Sequence, residues 1–483
     1  MNTSHVLPRS TPEAQSVSSS ALLAFIAATE HNNLELHSLM LLRHGVVVAE
    51  GWWSPYRAEY PHLLNSVSKS FTSTAVGLAV AERRLSINDL VISFFPDALP
   101  DVVSDALAAL KVKHLLTMST GHSEDTITTI TSRVDGDWIR AFLNAPIIYA
   151  PGTHFVYNSG ATYMLSAIIQ KVTGTRLLDY LQPRLLEPLG ITNATWDISP
   201  QGIAMGGWGM SVPTEAIARF GQLYLQNGMW NGQQLVPAEW IAEATAYQIS
   251  NAHNENIDWQ QGYGYQFWRS QYGAYRGDGA FGQYCVVMPE QDAVLAITGS
   301  VYNMQAVMDL VWEHIRPGIH TEQALPVQAE AADRLLQKLA SLHIDPPIAK
   351  TTSFDAAIVS VQCYTLDTNP LTIESIQFDF STSGCEVTIQ TVTSKHNFTC
   401  GVGRWQPGTL TLFRHSPHMV ASGIWTTEDI FEITLRFYET SAIYTIQCHF
   451  TPGKVTIAMH IDYILGVQDY HLVGSIQSGI VNR

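Results

Sequence analysis

The sequence predicts an α+β protein in which an antiparallel sheet is flanked by helices and carries an inserted helical lobe. A separate all-β domain, a sandwich or a barrel, is predicted to follow. Within 1–320 of the 483 residues, β-rich runs lie near both ends and helical patterns occupy about 85–250 between them. Six or more short alternating runs fill 350–483. We therefore predict a first domain over 1–320, a connecting helix or linker over 321–349, and a β domain over 350–483.

The first elements follow from local patterns at the start of the chain. Residues 1–17 are polar and indicate a loose arm, and a helix is predicted to begin in the serine run at Ser18. Two β-rich runs separated by a short turn predict a hairpin between residues 36 and 53. Residues 66–82 carry their apolar side chains on one stripe and predict a helix.

Helices and then strands are predicted for the remainder of the first domain. One helix is predicted over 159–172, and two more begin at Pro213 and Pro237, because proline is favoured near a helix start. Residues 263–300 change to strand patterns, and 303–316 form a closing helix. Since strands precede and follow the helices, one sheet assembled from both ends of the domain is expected, with a catalytic cleft between sheet and lobe.

Composition limits the function classes. A net charge of −16 argues against nucleic acid and anionic membranes as partners, because both need clustered Lys and Arg. The first twenty residues lack an apolar core, and no run approaches the ~18 apolar residues of a membrane helix, so we expect a cytoplasmic protein. Five cysteines without paired spacing do not suggest disulfides. No His/Cys spacing indicates a metal, so we expect neither metal nor cofactor.

Ser66 and Lys69 give the strongest indication of chemistry. They are three residues apart at the start of a predicted helix and therefore lie on one face. A serine hydroxyl needs a base to become a nucleophile, and a lysine can be that base when burial lowers its pKa. The helix N-terminus also directs N–H groups at a developing oxyanion. The pattern also occurs by chance as a cap and a surface lysine, but the apolar approach to Ser66 favours catalysis.

The stretch HLLNSVSKSFTSTAVGLAVAE resembles the active-site helix of the serine β-lactamase/penicillin-binding-protein superfamily. It is most similar to the class C branch of esterases, D-aminopeptidases and amide hydrolases. That family carries Ser-x-x-Lys, Tyr-x-Asn and Lys-Thr-Gly or a substitute, in this order. The resemblance covers about 15–315 and implies a β-lactamase/transpeptidase-like fold. It also implies that Ser66 is the nucleophile and that Lys69 handles its proton, without a metal or cofactor.

The second motif is found at PGTHFVYNSG, where Tyr157 matches the family tyrosine. A tyrosine beside a lysine can shuttle protons as a phenolate or as a neutral phenol, because the neighbouring cation lowers its pKa. A core tyrosine with a satisfied hydroxyl is the alternative. Tyr-Asn-Ser stands where Tyr-x-Asn is usual, so Ser159 takes the usual Asn position and Asn158 lies one place early. Both are candidates for substrate binding.

The segment YRGDGAFGQY takes the place of the third motif, and Lys-Thr-Gly is absent. Small residues let a backbone N–H approach an acyl oxygen, so Gly277, the Asp278 amide and Gly279 are oxyanion-site candidates together with the amide of the nucleophile. Arg276 could bind a substrate carboxylate in place of the lost lysine. Arg276 and Asp278 could equally form a structural ion pair, and the sequence leaves both interpretations open.

Together these features predict a serine hydrolase that forms an acyl-enzyme on Ser66 and cleaves a small ester, amide or peptide. A β-lactamase, a D-amino-acid peptidase, and a non-catalytic penicillin-binding-like sensor are the alternatives. The altered second and third motifs disfavour β-lactamase and cell-wall peptidase activity. We expect no nucleic acid or membrane partner, and nothing indicates an oligomer. The C-terminal domain is expected to cover the cleft, to supply loops that limit the substrate, or to mediate assembly.

Overall fold

A computed structural model describes residues 7–320, 324–326, 328–348, 359–413, 416–462 and 468–476. The chain divides into two compact units. The first unit comprises Met1–Trp52 and Pro61–Leu342, and the second unit comprises Trp53–Tyr60 and His343–Arg483. None of the helices in this described part of the chain is both long and apolar enough to cross a membrane.

The α-helices of the described residues all belong to the first unit. They are α1 (Ser19–His31), α2 (Ser68–Ala81), α3 (Asp105–Ala108), α4 (Val112–Leu116), α5 (Ile127–Thr131), α6 (Trp138–Asn144), α7 (Ser159–Thr173), α8 (Leu177–Leu181), α9 (Thr214–Leu225), α10 (Ala238–Thr245), α11 (Met304–Leu310) and α12 (Ala329–Ala340). The strands of the first unit are β1 (Leu36–Arg43), β2 (Val46–Trp52), β3 (His62–Leu63), β4 (Thr195–Trp196), β5 (Met210–Val212), β6 (Met229–Trp230), β7 (Gln233–Gln234), β8 (Trp268–Arg269), β9 (Tyr275–Gly279), β10 (Gln283–Met288) and β11 (Ala293–Gly299).

The main sheet of the first unit has the strand order β2-β1-β11-β10-β9-β8, and neighbouring strands are antiparallel. In its centre Leu39 of β1 pairs with Ile297 of β11, which joins the two ends of the unit. Both strands are buried along their whole length, and α9 packs against β1, β10 and β11. The predicted sheet, built from both ends of the domain around an inserted helical lobe, is therefore confirmed.

The helical lobe packs around α2, the helix predicted over residues 66–82. Nearly all of α2 is buried, and it packs against α7. The ring of Phe71 on α2 stacks on Phe220 of α9 with centroids 3.9 Å apart. α7 ends at Gly174, whose φ of +73° is the left-handed conformation that glycine adopts without a Cβ clash. The packing of α2 on α7 and α9 holds the helix that directly follows the candidate nucleophile.

The expectation of a loose N-terminal arm is wrong for residues 7–17. Leu7 is buried, and the guanidinium of Arg9 forms ion pairs with Glu50 at 2.9 Å and Glu215 at 3.0 Å. Ser10 N–H donates a hydrogen bond to the carbonyl of Val47. The arm is polar because its partners are the carboxylates and backbone groups of distant residues. The other predicted arm residues, 1–6, lie outside the described residues.

The second unit is a closed sheet. Its strands are β12 (Cys363–Leu366), β13 (Ile373–Ser381), β14 (Gly384–Thr391), β15 (Lys395–Gly401), β16 (Gln406–Thr409), β17 (His418–Trp425), β18 (Ile430–Arg436), β19 (Ile443–Thr451), β20 (Lys454–Asp462) and β21 (Gln468–Ile476). β15 pairs with β14 on one side and with β17 on the other, which closes the ring, and β16 adds to β17. Of the two predicted forms, sandwich or barrel, the structure is therefore a barrel. Alternate residues along its strands, as in β19, are buried, because one face of each strand forms the core.

The division between the units differs from the predicted boundaries in two places. The predicted connector 321–349 contains α12, which belongs to the first unit, and Lys338 of α12 forms an ion pair with Glu30 of α1 at 2.7 Å. Trp53–Tyr60 belongs to the second unit although the sequence on both sides of it belongs to the first. Within the second unit, the ring of Tyr60 stacks on Tyr438 with centroids 4.7 Å apart.

Candidate active site

Ser66 lies in a single 3-10 turn, Asn65–Val67, directly before α2. Asn65 has a φ of +49°, which asparagine tolerates better than most residues, and its side-chain amide donates to the carbonyl of Ala280 at 2.8 Å. The N–H of Leu64 donates to the carbonyl of Met210 at 2.8 Å. Two backbone segments from other parts of the unit therefore hold the turn, and Ser66 remains partly exposed.

Lys69 lies on the first turn of α2, and only 2% of its surface is exposed. Its Nζ is 2.9 Å from Ser66 Oγ, 2.8 Å from the carbonyl oxygen of Gly207 and 3.3 Å from Ser159 Oγ. A neutral amine has two N–H donors and one lone pair. It can donate to Gly207 and Ser159 and accept from the Ser66 hydroxyl, so these contacts suit the neutral lysine that a base must be.

Burial also makes the neutral form of Lys69 easier to reach. Burial lowers the pKa of Lys69 to about 8, and the carboxylates of Asp125 and Asp278 act in the opposite direction. With a pKa of about 8, roughly one molecule in ten holds the neutral amine at pH 7. The lysine can therefore accept a proton at ordinary pH, which an exposed lysine does only rarely.

The ring of Tyr157 also lies beside Lys69. Lys69 Nζ is 4.7 Å from the centroid of its ring, and the ring stacks on Trp268 with centroids 5.3 Å apart. Burial raises the pKa of Tyr157 well above its usual value, nearby Asp278 adds to this, and a hydrogen bond with Ser66 acts against it. Sequence reasoning expected the adjacent cation to lower this pKa. The direction is the opposite because burial outweighs the other influences, so the neutral phenol is the form present.

The structure separates the two polar residues that follow Tyr157. Ser159 joins the site, with its Oγ beside the lysine. Asn158 is fully buried and caps α7: its Oδ1 accepts from Ala161 N–H at 3.2 Å and from the Thr126 hydroxyl at 2.8 Å. These contacts give the Asn158 side chain a structural role, and among the described residues it forms no hydrogen bond with Ser66 or Lys69.

The two interpretations of Arg276 can be compared directly. Its side chain is fully buried on β9, and its Nε donates to Asp278 Oδ2 at 2.9 Å. Its Nη1 donates to Ser270 Oγ at 2.6 Å and to the Asp258 carbonyl at 2.9 Å, and the guanidinium lies 4.3 Å from the ring of Trp259. The structure therefore contains the ion pair, and these contacts leave the guanidinium enclosed by the protein.

The glycines of β9 lie directly against the Ser66 turn. A Cβ on Gly279 would lie 2.3 Å from the Leu64 carbonyl oxygen and 2.9 Å from Ser66 N. A Cβ on Gly277 would lie 2.8 Å from Ser70 Oγ. Real Cβ atoms do not approach backbone atoms as closely as a Cβ on residue 279 would, so β9 can pass beside the nucleophile only because residue 279 is glycine. The backbone of β9 and the Ser66 amide are thereby adjacent.

Asp125 is a residue of this site that sequence reasoning did not find. Its Oδ1 accepts hydrogen bonds from Ser159 N–H at 2.8 Å and from Ile127 N–H at 2.9 Å. Sequence alone could have drawn attention to it, since it follows the family-like LLTMSTGH stretch. However, 34 residues separate it from Ser159, and local patterns cannot show that the two meet.

The described residues contain no group of three or more His, Cys, Asp or Glu side chains that could hold a metal ion. The five cysteines, all of which lie in described segments, are free thiols. The polar groups assembled around Ser66 are hydroxyls, amides, one lysine and carboxylates. Such a set can activate a hydroxyl and transfer protons.

The chain belongs to the Beta-lactamase family, whose sequence model matches residues 34–308, more than half of its length. It is 26% identical over 279 residues to a 6-aminohexanoate-dimer hydrolase of Paenarthrobacter ureafaciens, across 53% of this chain and 71% of that protein. The predicted resemblance to serine β-lactamases and penicillin-binding proteins is thus confirmed. Members of the family are hydrolases.

Solved structures show the same fold. The octameric penicillin-binding protein homologue from Pyrococcus abyssi superposes with a TM-score of 0.51 at 17% identity, over 94% of this chain and 99% of that chain. A family VIII carboxylesterase superposes with a TM-score of 0.50 at 16% identity, over 63% of this chain and 98% of that chain. The first of these likenesses extends well beyond the residues that the family model matches.

Proposed function

We propose that this protein is a serine hydrolase that forms an acyl-enzyme on Ser66 and cleaves a small ester or amide. The observation that carries the proposal is the 2.9 Å contact between Ser66 Oγ and the Nζ of a buried lysine, Lys69. A serine becomes nucleophilic when an adjacent base takes its proton, and burial makes this lysine a base. The similarity to a 6-aminohexanoate-dimer hydrolase and the fold shared with a carboxylesterase support an amide or ester as the substrate.

In the acylation step, the neutral Lys69 accepts the hydroxyl proton while Ser66 Oγ bonds to the substrate carbonyl carbon. The neutral phenol of Tyr157, hydrogen-bonded to Ser66, relays a proton to the leaving alcohol or amine as the carbonyl–heteroatom bond breaks. Water then attacks the ester on Ser66 while Lys69 or Tyr157 takes one of its protons, and that proton passes to Ser66 Oγ as the acyl–oxygen bond breaks and the acid leaves. Each step is a proton transfer or an acyl transfer, so the residues of the site suffice.

The oxyanion formed during each attack needs N–H donors. The Ser66 amide lies at the beginning of the helical segment that continues into α2, where backbone N–H groups have no partner within the helix. The backbone of β9 at Gly279 approaches this amide closely. We propose that the Ser66 amide and an amide of residues 277–279 bind the oxyanion together.

The direct test is intact-mass spectrometry after incubation with a fluorophosphonate, a p-nitrophenyl ester and a penicillin. Wild-type protein is expected to gain the mass of a phosphonyl or acyl group, and Ser66→Ala is expected to gain none. The exposed Ser123→Ala is the matched control, because it removes a serine hydroxyl outside the proposed machinery and should label like wild type. Equal labelling of wild type and Ser66→Ala would rule out the proposed nucleophile.

A further inference from the structure

The charges around the proposed nucleophile suggest which substrates it accepts. Two cations lie in this region, and both are buried in contact with protein groups. Lys69 Nζ contacts the oxygens of Ser66, Ser159 and Gly207, and the Arg276 guanidinium is buried in its ion pair with Asp278. A substrate carboxylate could reach either cation only by displacing the protein groups that enclose it, which costs free energy because buried polar contacts are lost.

The carboxylate of Asp125 differs from these two buried cations because it is partly exposed. Its Oδ1 is held by two backbone N–H groups, those of Ser159 and Ile127. Within the described part of the chain, Asp125 forms no ion pair and its Oδ2 accepts no hydrogen bond. The carboxylate is therefore fixed in position by the backbone and still has an oxygen to offer to a ligand.

The position of Asp125 relative to the reacting groups is also defined. It contacts the backbone of Ser159, whose Oγ is 3.3 Å from Lys69 Nζ. Its charge raises the pKa of both Lys69 and Tyr157, so its field reaches both proton-transfer groups. Asp278 also acts on these two groups, but it is buried and already paired with Arg276.

We propose that Asp125 binds an ammonium group of the substrate, so that the site selects esters or amides that carry a positive charge over those that carry a carboxylate. An ammonium donates charge-assisted hydrogen bonds to a carboxylate, and the interaction is strengthened where water is partly excluded. This inference rests on the proposed function and names the substrate class of the same site.

The test uses two series of esters followed by proton release in a pH-stat. In one series the acyl chain ends in an ammonium, an acetamide or a carboxylate, and in the other the alcohol ends in these groups. In at least one series, wild-type kcat/KM is expected to fall about tenfold from the ammonium to the acetamide and further to the carboxylate, as one partly screened charge pair requires. The ammonium preference should shrink as salt rises from low to high concentration, because the pair is screened.

Asp125→Asn removes the charge and keeps an oxygen for the two N–H groups, so the ratio between ammonium and acetamide esters is expected to fall to about one. Glu124→Gln is the matched control, since it removes an exposed carboxylate from the neighbouring residue and should keep the wild-type ratio. An unchanged ratio in Asp125→Asn, or a wild type that prefers the carboxylate in both series, would overturn the inference. The acetamide esters report the proposed function separately, and failure to hydrolyse any ester through Ser66 would overturn both.

Discussion

Lys69 can accept the Ser66 proton only as a neutral amine, and this gives activity a defined pH dependence. Because burial lowers the pKa of Lys69 to about 8, the fraction of active base is small below that pH and complete above it. We predict that kcat/KM for a neutral ester rises with pH and levels off with an apparent pKa of about 8. The measurement is a pH–rate profile from pH 6 to 10, corrected for spontaneous hydrolysis with Ser66→Ala.

The same profile should respond to Asp125, whose charge raises the pKa of Lys69. In Asp125→Asn the inflection is therefore expected at lower pH than in wild type, while Glu124→Gln should leave it in place. An inflection that stays at the same pH in Asp125→Asn would contradict the electrostatic link between these residues.

Lys69→Ala and Tyr157→Phe should each lower turnover by about two to four orders of magnitude, through loss of general acid–base catalysis.

Gly279 is a further residue for which the structure gives a sharp expectation. In Gly279→Ala the new methyl group would lie 2.3 Å from the Leu64 carbonyl oxygen, so β9 or the Ser66 turn must move. A displaced oxyanion donor costs roughly a hundredfold in kcat, and we predict a loss of about that size with KM less affected. Gly277→Ala is the comparison, since its methyl group would meet the side-chain oxygen of Ser70, and it should lose less. Equal kcat values in Gly279→Ala and wild type would show that the turn adapts.

At the scale of elements, Asn158 caps the start of α7 and ties it to Thr126. Its Oδ1 satisfies the N–H of Ala161 and both the N–H and hydroxyl of Thr126. We predict that Asn158→Ala lowers the free energy of unfolding by about 2–3 kcal/mol, because α7 loses its side-chain cap and two buried donors of Thr126 lose their acceptor. Ser18→Ala, which removes only the cap of α1, should cost about 1 kcal/mol. Urea denaturation of both variants would test this order, and the reverse order would contradict the structural role of Asn158.

Elements and their contacts also mark how far the sequence could predict this molecule. The sheet and the helices follow from apolar periodicity, and the closeness of Ser66 and Lys69 follows from helical spacing, which are local properties. The pairing of Arg276 with Asp278 remained one of two alternatives, because its enclosure depends on Asp258 and other residues brought by separate loops. Asp125 was missed for the same reason. Site residues that depend on long-range contacts cannot be identified from periodicity or motif spacing.

At the scale of the whole molecule, the eight residues Trp53–Tyr60 link the N-terminal sequence to the C-terminal unit. Tyr60 stacks on Tyr438, and the carbonyl of Ser54 accepts a hydrogen bond from Ile344 N–H at 2.9 Å. We predict that Tyr438→Ala in the full chain increases cleavage by trypsin after the exposed Arg57 several-fold, because local opening becomes easier. Limited proteolysis with N-terminal sequencing is the measurement.

Tyr470→Ala, which removes a tyrosine from β21 of the same unit, is the matched control and should leave cleavage after Arg57 as in wild type. Identical cleavage in Tyr438→Ala and wild type would show that the aromatic stack does not hold the segment. Because Ser66 follows this segment closely in sequence, loss of activity alongside faster cleavage would further show that the segment supports the nucleophile turn.

The membership of Trp53–Tyr60 in the second unit has a consequence for synthesis on the ribosome. Chains emerge from the N-terminus, and domains generally fold as they become complete. Here β1 cannot pair with β11 until more than two hundred further residues have been made. The segment Trp53–Tyr60, which precedes Ser66, cannot join its unit until residues from His343 onward have been made. Neither unit can reach its final form from a contiguous nascent stretch, so maturation of the proposed nucleophile is completed only after most of the chain has been translated.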